Sequence, residues 1–548
     1  MTDIVILNGR VITFDGPDAE ALAITGGTIT AVGSTADIRA LANGARVIDA
    51  GGATVLPGFI DSHVHLFGGS AELGYLSLLG VHGVEAIRDA VRPYAASRPD
   101  DRLIFATPID YHAMGGRSIT RQDLDAVLPD RPFAAMAADH HTVWANTKAM
   151  ELAGILHGAD LPDGSEIVMA ADGTAAGELR EPEAFAHVLA LTELGGRDLM
   201  GFVTGRDPEP APGPKERAYD KQVLARGLAH CASHGITGLH NMDGNFYQLE
   251  LLSELDAAGD LIARVEVPMH LKNYDPLDRL AEAEEMRARF ATDMVWCNRV
   301  KMFMDGVIDS RTACTLIPYP GTDTTGDALF EAAHFAEACR RIDRMGLQIS
   351  VHAVGDGAVR RVLDGYQAAR EANGPRDSRH RVEHIELIHP DDIPRFKALG
   401  AVASIQPLHS PRGGLFQPYE PGDLLHPHQF ETAFAWRTIR ASGAKVIFST
   451  DWPVVPVDVM PTVKGAVHGA DLPPHWPDQR QGLRETLASY TCDNAWVEFN
   501  ERRKGRLKAG MMADIVVMDR DIEAMPTGDL DKARARVTIC GGRVTYDA

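Results

Sequence analysis

Residues 54–66 read TVLPGFIDSHVHL, a largely apolar run that ends in two histidines. Apolar runs without polar alternation are typical of strands in a parallel sheet, where both faces are buried. Similar runs recur beside amphipathic helical stretches: GITGLHNM (235–242), ARVEVPMHL (263–271), NRVKMFMDG (298–306), LQISVHAVGD (347–356), HRVEHIEL (380–387), AVASIQP (401–407) and KVIFSTDWPV (445–454). Eight parallel strands that alternate with helices close a (β/α)8 TIM barrel. The sequence therefore predicts an α/β protein built on such a barrel.

The two ends of the chain carry a different pattern. DIVILNGRVITFDG (3–16) and ALAITGGTITAVG (21–33) join short apolar runs by Asn-Gly and Gly-Gly turns, and GMMADIVVMDRD (510–521) and RVTICGGRVTYDA (536–548) repeat this style. Such turns predict β-hairpins. We expect one small β-domain to which both termini contribute; independent β-segments at the two ends are the alternative.

A long stretch, about residues 70–215, separates the first predicted strand from the second. Its loop TGRDPEPAPGPKER (204–217) is dense in proline and charge. We interpret the stretch as an insertion domain that forms a lid over the site; a second domain unrelated to catalysis is the alternative. The predicted parts are 1–56 (β-domain, N-terminal part), 57–69 (first barrel strand), 70–215 (insertion), 216–500 (rest of the barrel) and 501–548 (β-domain, C-terminal part).

Composition narrows the class of protein. The 54 basic and 76 acidic residues leave a net charge of −22, which argues against nucleic-acid and anionic-membrane partners. No run of about 18 apolar residues occurs, no signal peptide is evident, and the six cysteines are scattered without paired spacing. We expect a soluble, cytoplasmic protein with reduced cysteines.

Histidines and one aspartate stand where predicted strands end. His63 and His65 close the first run, and residues i and i+2 of a strand point to the same face. His352, His384 and Asp451 end the fifth, sixth and eighth runs. Functional residues of a TIM barrel cluster at these carboxyl ends. Each residue alone is typical of a satisfied structural group, but together they form an imidazole and carboxylate set that suits zinc.

Lys301 interrupts the apolar run NRVKMFMDG and has no acidic residue beside it in the sequence. Lysine is almost never fully buried without a partner. The run therefore raises the question of what neutralises this amine.

Several motifs resemble the amidohydrolase superfamily and, within it, the amidohydrolase-3 branch with its N-substituted formamide deformylases and YtcJ-like proteins. They occur in order across nearly the whole chain: LPGFIDSHVHL (56–66), VKMFMDGVIDSRTA (300–313), VHAVGDGAV (351–359), HRVEHIELI (380–388), FSTDWPV (448–454) and GRLKAGMMADIVVMDRD (505–521). The resemblance implies a β-sandwich domain built from both termini, a metal-bearing barrel and hydrolysis of an amide-type bond.

The resemblance also implies a set of metal ligands, namely His63, His65, Lys301, His352, His384 and Asp451. They would hold one or two Zn2+ ions, with Mn2+ or Fe2+ as alternatives. An apolar site favours the neutral amine of Lys301, which reacts with CO2 to give a carbamate that bridges two cations. The alternative is an ammonium group that reaches out of the strand end or pairs with Asp305 or Asp451.

Two further segments supply candidate substrate residues. AADHHTVWANTKAM (137–150) resembles the substrate-side segment of the family. We expect His141 to act in catalysis by donating a hydrogen bond to the substrate carbonyl, with Trp144 and Asn146 in contact with the substrate. A loop histidine and a packed tryptophan are the alternative.

Beyond the fourth strand, Arg311 either clamps a polar substrate group or holds its own loop through Asp309. Gln406 and His409 follow the seventh strand and are candidate pocket residues.

The function expected from these features is hydrolysis of an N-acyl, N-formyl or cyclic amide. Asp451 would accept the proton of the attacking water as general base and return it to the leaving nitrogen as general acid. A deaminase on the same barrel and a non-catalytic regulatory homologue are the alternatives. The expected partner is a small-molecule amide substrate, without nucleic acid or membrane, and a homodimer is left open.

Overall fold

The computed structural model describes residues 2–138, 140–162 and 164–548. Within these ranges the chain divides into two compact units. One unit takes the residues up to His65 together with Ala225–Met242 and Leu252–Ala548. The other takes Leu66–Leu224 and Asp243–Leu251.

Two parallel sheets of the first unit contain the apolar runs of the sequence. One sheet has the strand order Val295–Trp296, Arg264–Glu266, Ile236–Asn241, Phe59–Val64, and the other has the order Met269–His270, Arg299–Phe303, Gln348–Ala353, Arg381–His384, Val402–Ile405, Lys445–Phe448. Neighbouring strands pair in parallel throughout. Nearly all of their residues are buried, which is why the runs lack polar alternation.

The third predicted strand (263–271) is divided between these two sheets. Arg264–Glu266 belongs to the first sheet and Met269–His270 to the second, with Pro268 between them. Proline has no N–H to donate to a ladder, so the strand is interrupted there. Val295–Trp296, which precedes the fourth run, belongs to the first sheet, and Arg299–Phe303, within that run, belongs to the second. The structure thus differs from the expectation of eight continuous strands at the third strand.

The first and last of the apolar runs form the outermost strands of the two sheets, and their carboxyl ends are joined. Val64 and Trp452 form an isolated parallel bridge. The N–H of Asp451 donates a hydrogen bond of 2.8 Å to the carbonyl of His63. Predicted metal ligands from opposite ends of the sequence therefore become neighbours.

Both ends of the chain contribute to two further sheets of the first unit. Their strand orders are Thr28–Gly33, Ala21–Thr25, Ile4–Leu7, Arg46–Asp49 and Arg10–Val11, Thr54–Pro57, Ile515–Met518, Ala535–Cys540, Arg543–Asp547. Ile515–Met518 pairs antiparallel with Thr54–Pro57. Side chains of both sheets, among them Ile4, Ile24 and Ile539, share one buried apolar cluster.

The second unit is built on a five-stranded sheet with the order Glu166–Met169, Ala175–Arg180, Thr142–Ala145, Phe133–Ala137, Ile104–Ile109. Alternate residues of Phe133–Ala137 belong to two different apolar clusters, because successive side chains of a strand point to opposite faces. The unit also includes Asp243–Leu251, which the sequence analysis assigns to the barrel. The physical reason is that Tyr247 donates its N–H to Asp207 (2.8 Å) and its hydroxyl to Asp220 (2.5 Å).

Helices fill the connections between the strands. The α-helices are Thr35–Arg39, Leu66–Glu72, Val84–Ala96, Arg121–Val127, Thr147–Ala153, Pro182–Leu189, Met200–Val203, Pro214–Ser233, Phe246–Ala258, Leu280–Arg289, Ala332–Arg344, Asp356–Asn373, Ile393–Leu399, Trp436–Ala441, Val459–Val467, Leu483–Ser489 and Cys492–Val497. Over the described ranges, none of the helices has both the length and the apolar character that a membrane crossing needs.

Candidate metal centre

Three predicted ligands meet at the joined ends of the first and last strands. The Nε2 atoms of His63 and His65 lie 3.3 Å and 3.2 Å from Oδ1 of Asp451. Asp451 has a φ of 67°, a left-handed conformation that is uncommon for residues other than glycine. Backbone strain of this kind clusters at functional sites, where the surrounding structure imposes it.

Buried Asp61 holds these two strand ends together. It accepts hydrogen bonds from the N–H of His63 (3.3 Å) and from the N–H and hydroxyl of Thr450 (3.1 and 2.5 Å). Burial raises the pKa of Asp61 to about 7. Both oxygens of Asp61 accept hydrogen bonds from these donors, so Asp61 positions the strand ends that carry the ligands.

His384 connects this group to His352. The ring centroid of His384 lies 4.8 Å from that of His63 and 4.4 Å from that of His352. His384 also has a left-handed φ of 76°. The donor atoms of His63, His384 and Asp451 all lie within 4.8 Å of one another, which makes these residues a group able to share one ion.

Glu383 decides which nitrogen of His63 is available to a metal. Its Oε2 lies 2.8 Å from Nδ1 of His63. An ionised carboxylate only accepts hydrogen bonds, so Nδ1 carries the proton and Nε2 keeps its lone pair. This is the arrangement by which carboxylates orient histidine ligands of metals.

Two other imidazoles are oriented by oxygen acceptors. Nδ1 of His384 lies 2.9 Å from Oε1 of Gln406, which leaves Nε2 with the lone pair. Nε2 of His352 lies 3.0 Å from the carbonyl of Gly306, which leaves the lone pair on Nδ1. The lone pairs of His63, His352 and His384 are thus assigned by protein contacts.

The protonation states of these groups suit a metal. Burial lowers the pKa of His63 to about 4 and that of His384 well below its ordinary value. For Asp451, burial acts to raise the pKa, but His63 and His65 outweigh it and hold the pKa below the ordinary carboxyl value. Neutral imidazoles and an ionised carboxylate are the forms that ligate metal ions.

Lys301 is fully buried, and its Nζ has no hydrogen-bond partner in the described part of the chain. The Nζ lies 4.4 Å from the centroid of the Phe303 ring, and burial lowers the pKa of this amine to about 8. Asp305, offered above as a partner, accepts three backbone N–H groups instead. The alternative that Lys301 reaches solvent is wrong, because its exposed fraction is 0%.

The residues present fit a metal ion. An ion with tetrahedral bonds of about 2.0–2.1 Å places its ligand atoms roughly 3.3–3.4 Å apart. The separations of Asp451 Oδ1 from the two Nε2 atoms, 3.3 and 3.2 Å, are close to this value. Oδ1 itself makes no hydrogen bond to any described residue, although buried polar atoms in proteins almost always do.

Gln406 supports a ligand instead of facing the substrate. Its Oε1 accepts from Nδ1 of His384, and its Nε2 donates to Oγ of Ser449 at 2.8 Å. We therefore replace its predicted substrate contact with a positioning role. His409 stacks on His384 with centroids 5.8 Å apart, and its Nε2 lies 3.6 Å from Oδ2 of Asp451. Its assignment as a pocket residue stays a prediction.

Arg311 is exposed and has a left-handed φ of 59°. Its proposed loop partner Asp309 accepts a hydrogen bond of 3.0 Å from Tyr419. The role of Arg311 as a substrate clamp stays a prediction.

The other candidate residues lie in the second unit. His141 is largely buried, and its Nδ1 lies 2.8 Å from Oε2 of Glu181. Glu181 has a left-handed φ of 66°. Sequence reasoning did not single out Glu181, although a carboxylate that orients a catalytic histidine is a common arrangement. The catalytic role of His141 stays a prediction.

Asn146 and Trp144 have structural surroundings. The amide of Asn146 accepts from the N–H groups of Phe133 (3.0 Å) and Ala149 (2.9 Å) and donates to two carbonyls, so its hydrogen-bonding capacity is used. It caps the helix Thr147–Ala153. Trp144 is 1% exposed and lies in an apolar cluster. We therefore replace the predicted substrate contact of Asn146 with a structural role, and the substrate contact of Trp144 stays a prediction.

Residues 46–546 match a family model described as the amidohydrolase family. The putative amidohydrolase YtcJ of Bacillus subtilis (strain 168) is 26% identical and covers 97% of this chain and 97% of its own length. The N-substituted formamide deformylase of Arthrobacter pascens is 26% identical over 100% of this chain and 99% of its own. A crystal structure of an uncharacterized metal-dependent hydrolase from Pyrococcus furiosus has a TM-score of 0.68 and 25% identity, covering 94% of this chain and 98% of its own.

Proposed function

Since the chain belongs to the amidohydrolase family, we propose that it is a metal-dependent hydrolase of carbon–nitrogen bonds in amides other than peptides. The observation that carries the proposal is the cluster of His63, His384 and Asp451, whose donor atoms lie within 4.8 Å of one another. The bond class comes from the similarity to N-substituted formamide deformylase. An N-acyl, N-formyl or cyclic amide is the proposed substrate class.

The proposed metal is Zn2+, as one or two ions, with Mn2+ or Fe2+ as alternatives. His63, His65 and Asp451 would hold one ion, and His352 and His384 would complete a second position. Imidazole and carboxylate donors suit all three metals. When bound, the metal polarises the amide carbonyl and lowers the pKa of a water molecule from about 15.7 toward 7.

Lys301 would bridge the two positions as a carbamate. The neutral amine attacks the carbon of CO2, a C–N bond forms, one proton leaves the nitrogen, and the product carries one negative charge on two oxygens. Full burial, an Nζ without a hydrogen-bond partner among the described residues and a pKa lowered to about 8 support this chemistry. The carbamate replaces a buried positive charge by an anion that cations stabilise.

Asp451 would transfer the proton during hydrolysis. Its Oδ1 faces the two histidines of the first strand, and its Oδ2 lies 3.6 Å from Nε2 of His409. The low pKa of Asp451 keeps it ionised at neutral pH, so it accepts a proton from the attacking water and then delivers it to the leaving nitrogen. His141 would donate a hydrogen bond to the substrate carbonyl, and Arg311 and His409 would contact polar groups of the substrate.

The architecture that we propose for this function is a closed (β/α)8 barrel with a terminal β-sandwich and an insertion that acts as a lid. The joined ends of the outermost parallel strands and the shared apolar cluster of the two terminal sheets support it. A cytoplasmic location with no nucleic-acid or membrane partner belongs to the same proposal, and a homodimer is left open.

A substrate panel with the Zn2+-loaded protein tests the proposal. N-formyl and N-acetyl amides of primary amines and cyclic amides are incubated with enzyme, and the released amine, the ring-opened product and free ammonia are measured separately. Amine release or ring opening that is lost in Asp451→Asn supports the proposal. Ammonia from amino-heterocycles without amine release would identify a deaminase instead. Protein purified from metal-supplemented cells without bound metal would favour a non-catalytic homologue.

A further inference from the structure

A chain of buried polar contacts leads away from the metal centre. It runs from His63 through Glu383, Arg381, His240 and Glu498 to Lys504, all of which are buried. We propose that His240, Glu498 and Lys504, at the far end of this chain, are positioning residues that hold His63 in the orientation and tautomer that bind a metal. This inference rests on the proposed metal-dependent function and adds residues that lie outside the metal centre.

The first link is the set of hydrogen bonds that holds the carboxylate of Glu383. Its Oε2 accepts from His63 Nδ1 at 2.8 Å, and its Oε1 accepts from Ser350 Oγ at 2.5 Å. Arg381 approaches both oxygens, with Nε 2.8 Å from Oε1 and Nη2 3.0 Å from Oε2. Arg381 and Ser350 together therefore hold the carboxylate of Glu383 toward His63.

The second link fixes the tautomer of His240. Nη1 of Arg381 lies 3.0 Å from Nδ1 of His240. A guanidinium group has only donors, so Nδ1 must accept and Nε2 must carry the proton. Nε2 lies 2.8 Å from Oε2 of Glu498, which accepts that proton in a hydrogen bond. The hydrogen bond to Glu498 therefore favours the tautomer of His240 whose Nδ1 accepts from Arg381.

The third link keeps Glu498 ionised. Nζ of Lys504 lies 2.7 Å from Oε1 of Glu498. Burial acts to raise the pKa of Glu498, but Lys504 and His240 outweigh it and lower the pKa to about 2. Glu498 and Lys504 also line a cavity of about 330 Å³ together with Trp296 and Asn298.

Two double variants isolate the hydrogen bond to His240. Glu498→Gln with Lys504→Met and Glu498→Leu with Lys504→Met both remove the whole charge pair, so neither leaves an unpaired buried charge. Glutamine still accepts from Nε2 of His240, and leucine does not. Co2+ is added to the metal-stripped proteins, its affinity is measured by chelator competition, and its visible absorption spectrum is recorded.

We expect the leucine variant to bind Co2+ several-fold more weakly than the glutamine variant, with a changed spectrum. Glu383→Gln, which removes the direct partner of His63, should cost about 10–100-fold. Should the leucine variant not fold, Glu498→Met with Lys504→Met replaces it, since methionine adapts to irregular space.

Asp343→Asn is the matched control. Asp343 lies 3.1 Å from Nε2 of buried His380 and also pairs with Arg376, as Glu383 does with His63 and Arg381. His380 is not a predicted ligand, so we expect a lower unfolding midpoint and unchanged Co2+ affinity. Equal affinities and spectra of the two double variants, or an equal loss in the control, would overturn the inference and leave the proposed function standing. A wild-type protein that binds no Co2+ would overturn both.

Discussion

Arg381 and Lys301 are both fully buried and lie in the same six-stranded parallel sheet, but their polar contacts differ. Arg381 is in contact with the carboxylate of Glu383, the carbonyl of Ser62, the hydroxyl of Ser404 and a ring nitrogen of His240. Lys301 is equally buried, but its Nζ makes no hydrogen bond within the described ranges.

The difference distinguishes polar groups that stabilise the fold from polar groups that are available to bind a ligand. A buried charge that is fully paired is a permanent part of the fold, whereas an unpaired one destabilises it. Asp451 shows the same feature as Lys301, because its Oδ1 also lacks a hydrogen bond to the residues described. We interpret partnerless polar atoms at the strand ends as sites for a ligand, and the paired ones beside them as its support.

The largest expected difference in stability is between two single variants, Arg381→Met and Lys301→Met. Arg381→Met leaves Glu383 buried without its counter-ion and should lower the free energy of unfolding by about 3–5 kcal/mol. Lys301→Met removes an unpaired charge and should leave the stability of the metal-free protein equal or higher. Urea unfolding followed by circular dichroism measures both, and similar losses in the two variants would break the comparison.

Asp451→Asn tests whether the partnerless oxygen serves chemistry. We expect a loss of turnover of at least about 10²-fold, the lower range for a positioned acid–base group. His63→Ala should lose at least as much, because it removes a ligand. The measurement is the rate of amine release, with metal content determined in parallel. A near-wild-type rate of Asp451→Asn with its metal retained would remove Asp451 from the mechanism.

Lys301→Ala tests the carbamate. The variant should lose one metal and at least about tenfold in metal affinity, since outer-shell changes alone cost 10–100-fold. Because it leaves a hole where a carboxylate-like group would lie, propionate should restore part of the metal content. Lys301→Arg keeps a positive charge and should not be rescued. Tolerance of arginine, with no effect of added acid, would support an unmodified ammonium.

The smallest effect is expected at Ser404. Its hydroxyl accepts one hydrogen bond of 3.1 Å from Arg381, which keeps its other partners when the hydroxyl is removed. Ser404→Ala should therefore lower the free energy of unfolding by about 1 kcal/mol. Thermal unfolding with wild-type protein as control measures it. A loss as large as that of Arg381→Met would mean that the contacts of Arg381 act as one unit.

Much of the fold, and the grouping of His63, His384 and Asp451, was accessible to sequence reasoning because it depends on local patterns. Continuous apolar runs indicated buried parallel strands, and the spacing of His63 and His65 placed them on one face of a strand. The motif order identified the family, which the family model confirms over residues 46–546. Pro268 also indicated an interruption of the third strand, because proline cannot donate a ladder hydrogen bond. The continuous apolar run around it favoured one unbroken strand instead.

The roles of individual polar side chains were harder to predict from the sequence. Glu383 was missed although Arg381 and Glu383 stand two residues apart in an apolar run, directly before His384. Asn146 and Gln406 were assigned to the substrate, yet their amides are used by hydrogen bonds within the protein. A side chain that can bind a substrate can equally cap a helix or orient a histidine, and the residue type does not distinguish these roles.

The sequence by itself determined which segments are buried strands and which residue types stand at their ends, because the periods of strands and helices are local. The tertiary structure decided which polar atoms are paired and which are not. Glu383 and His63 are 320 residues apart in the chain, and Glu498 and His240 are 258 apart. Hydrogen bonds are directional and act over about 3 Å, so only the packed strands determine that Arg381 is paired and that Nζ of Lys301 makes no hydrogen bond to the described residues.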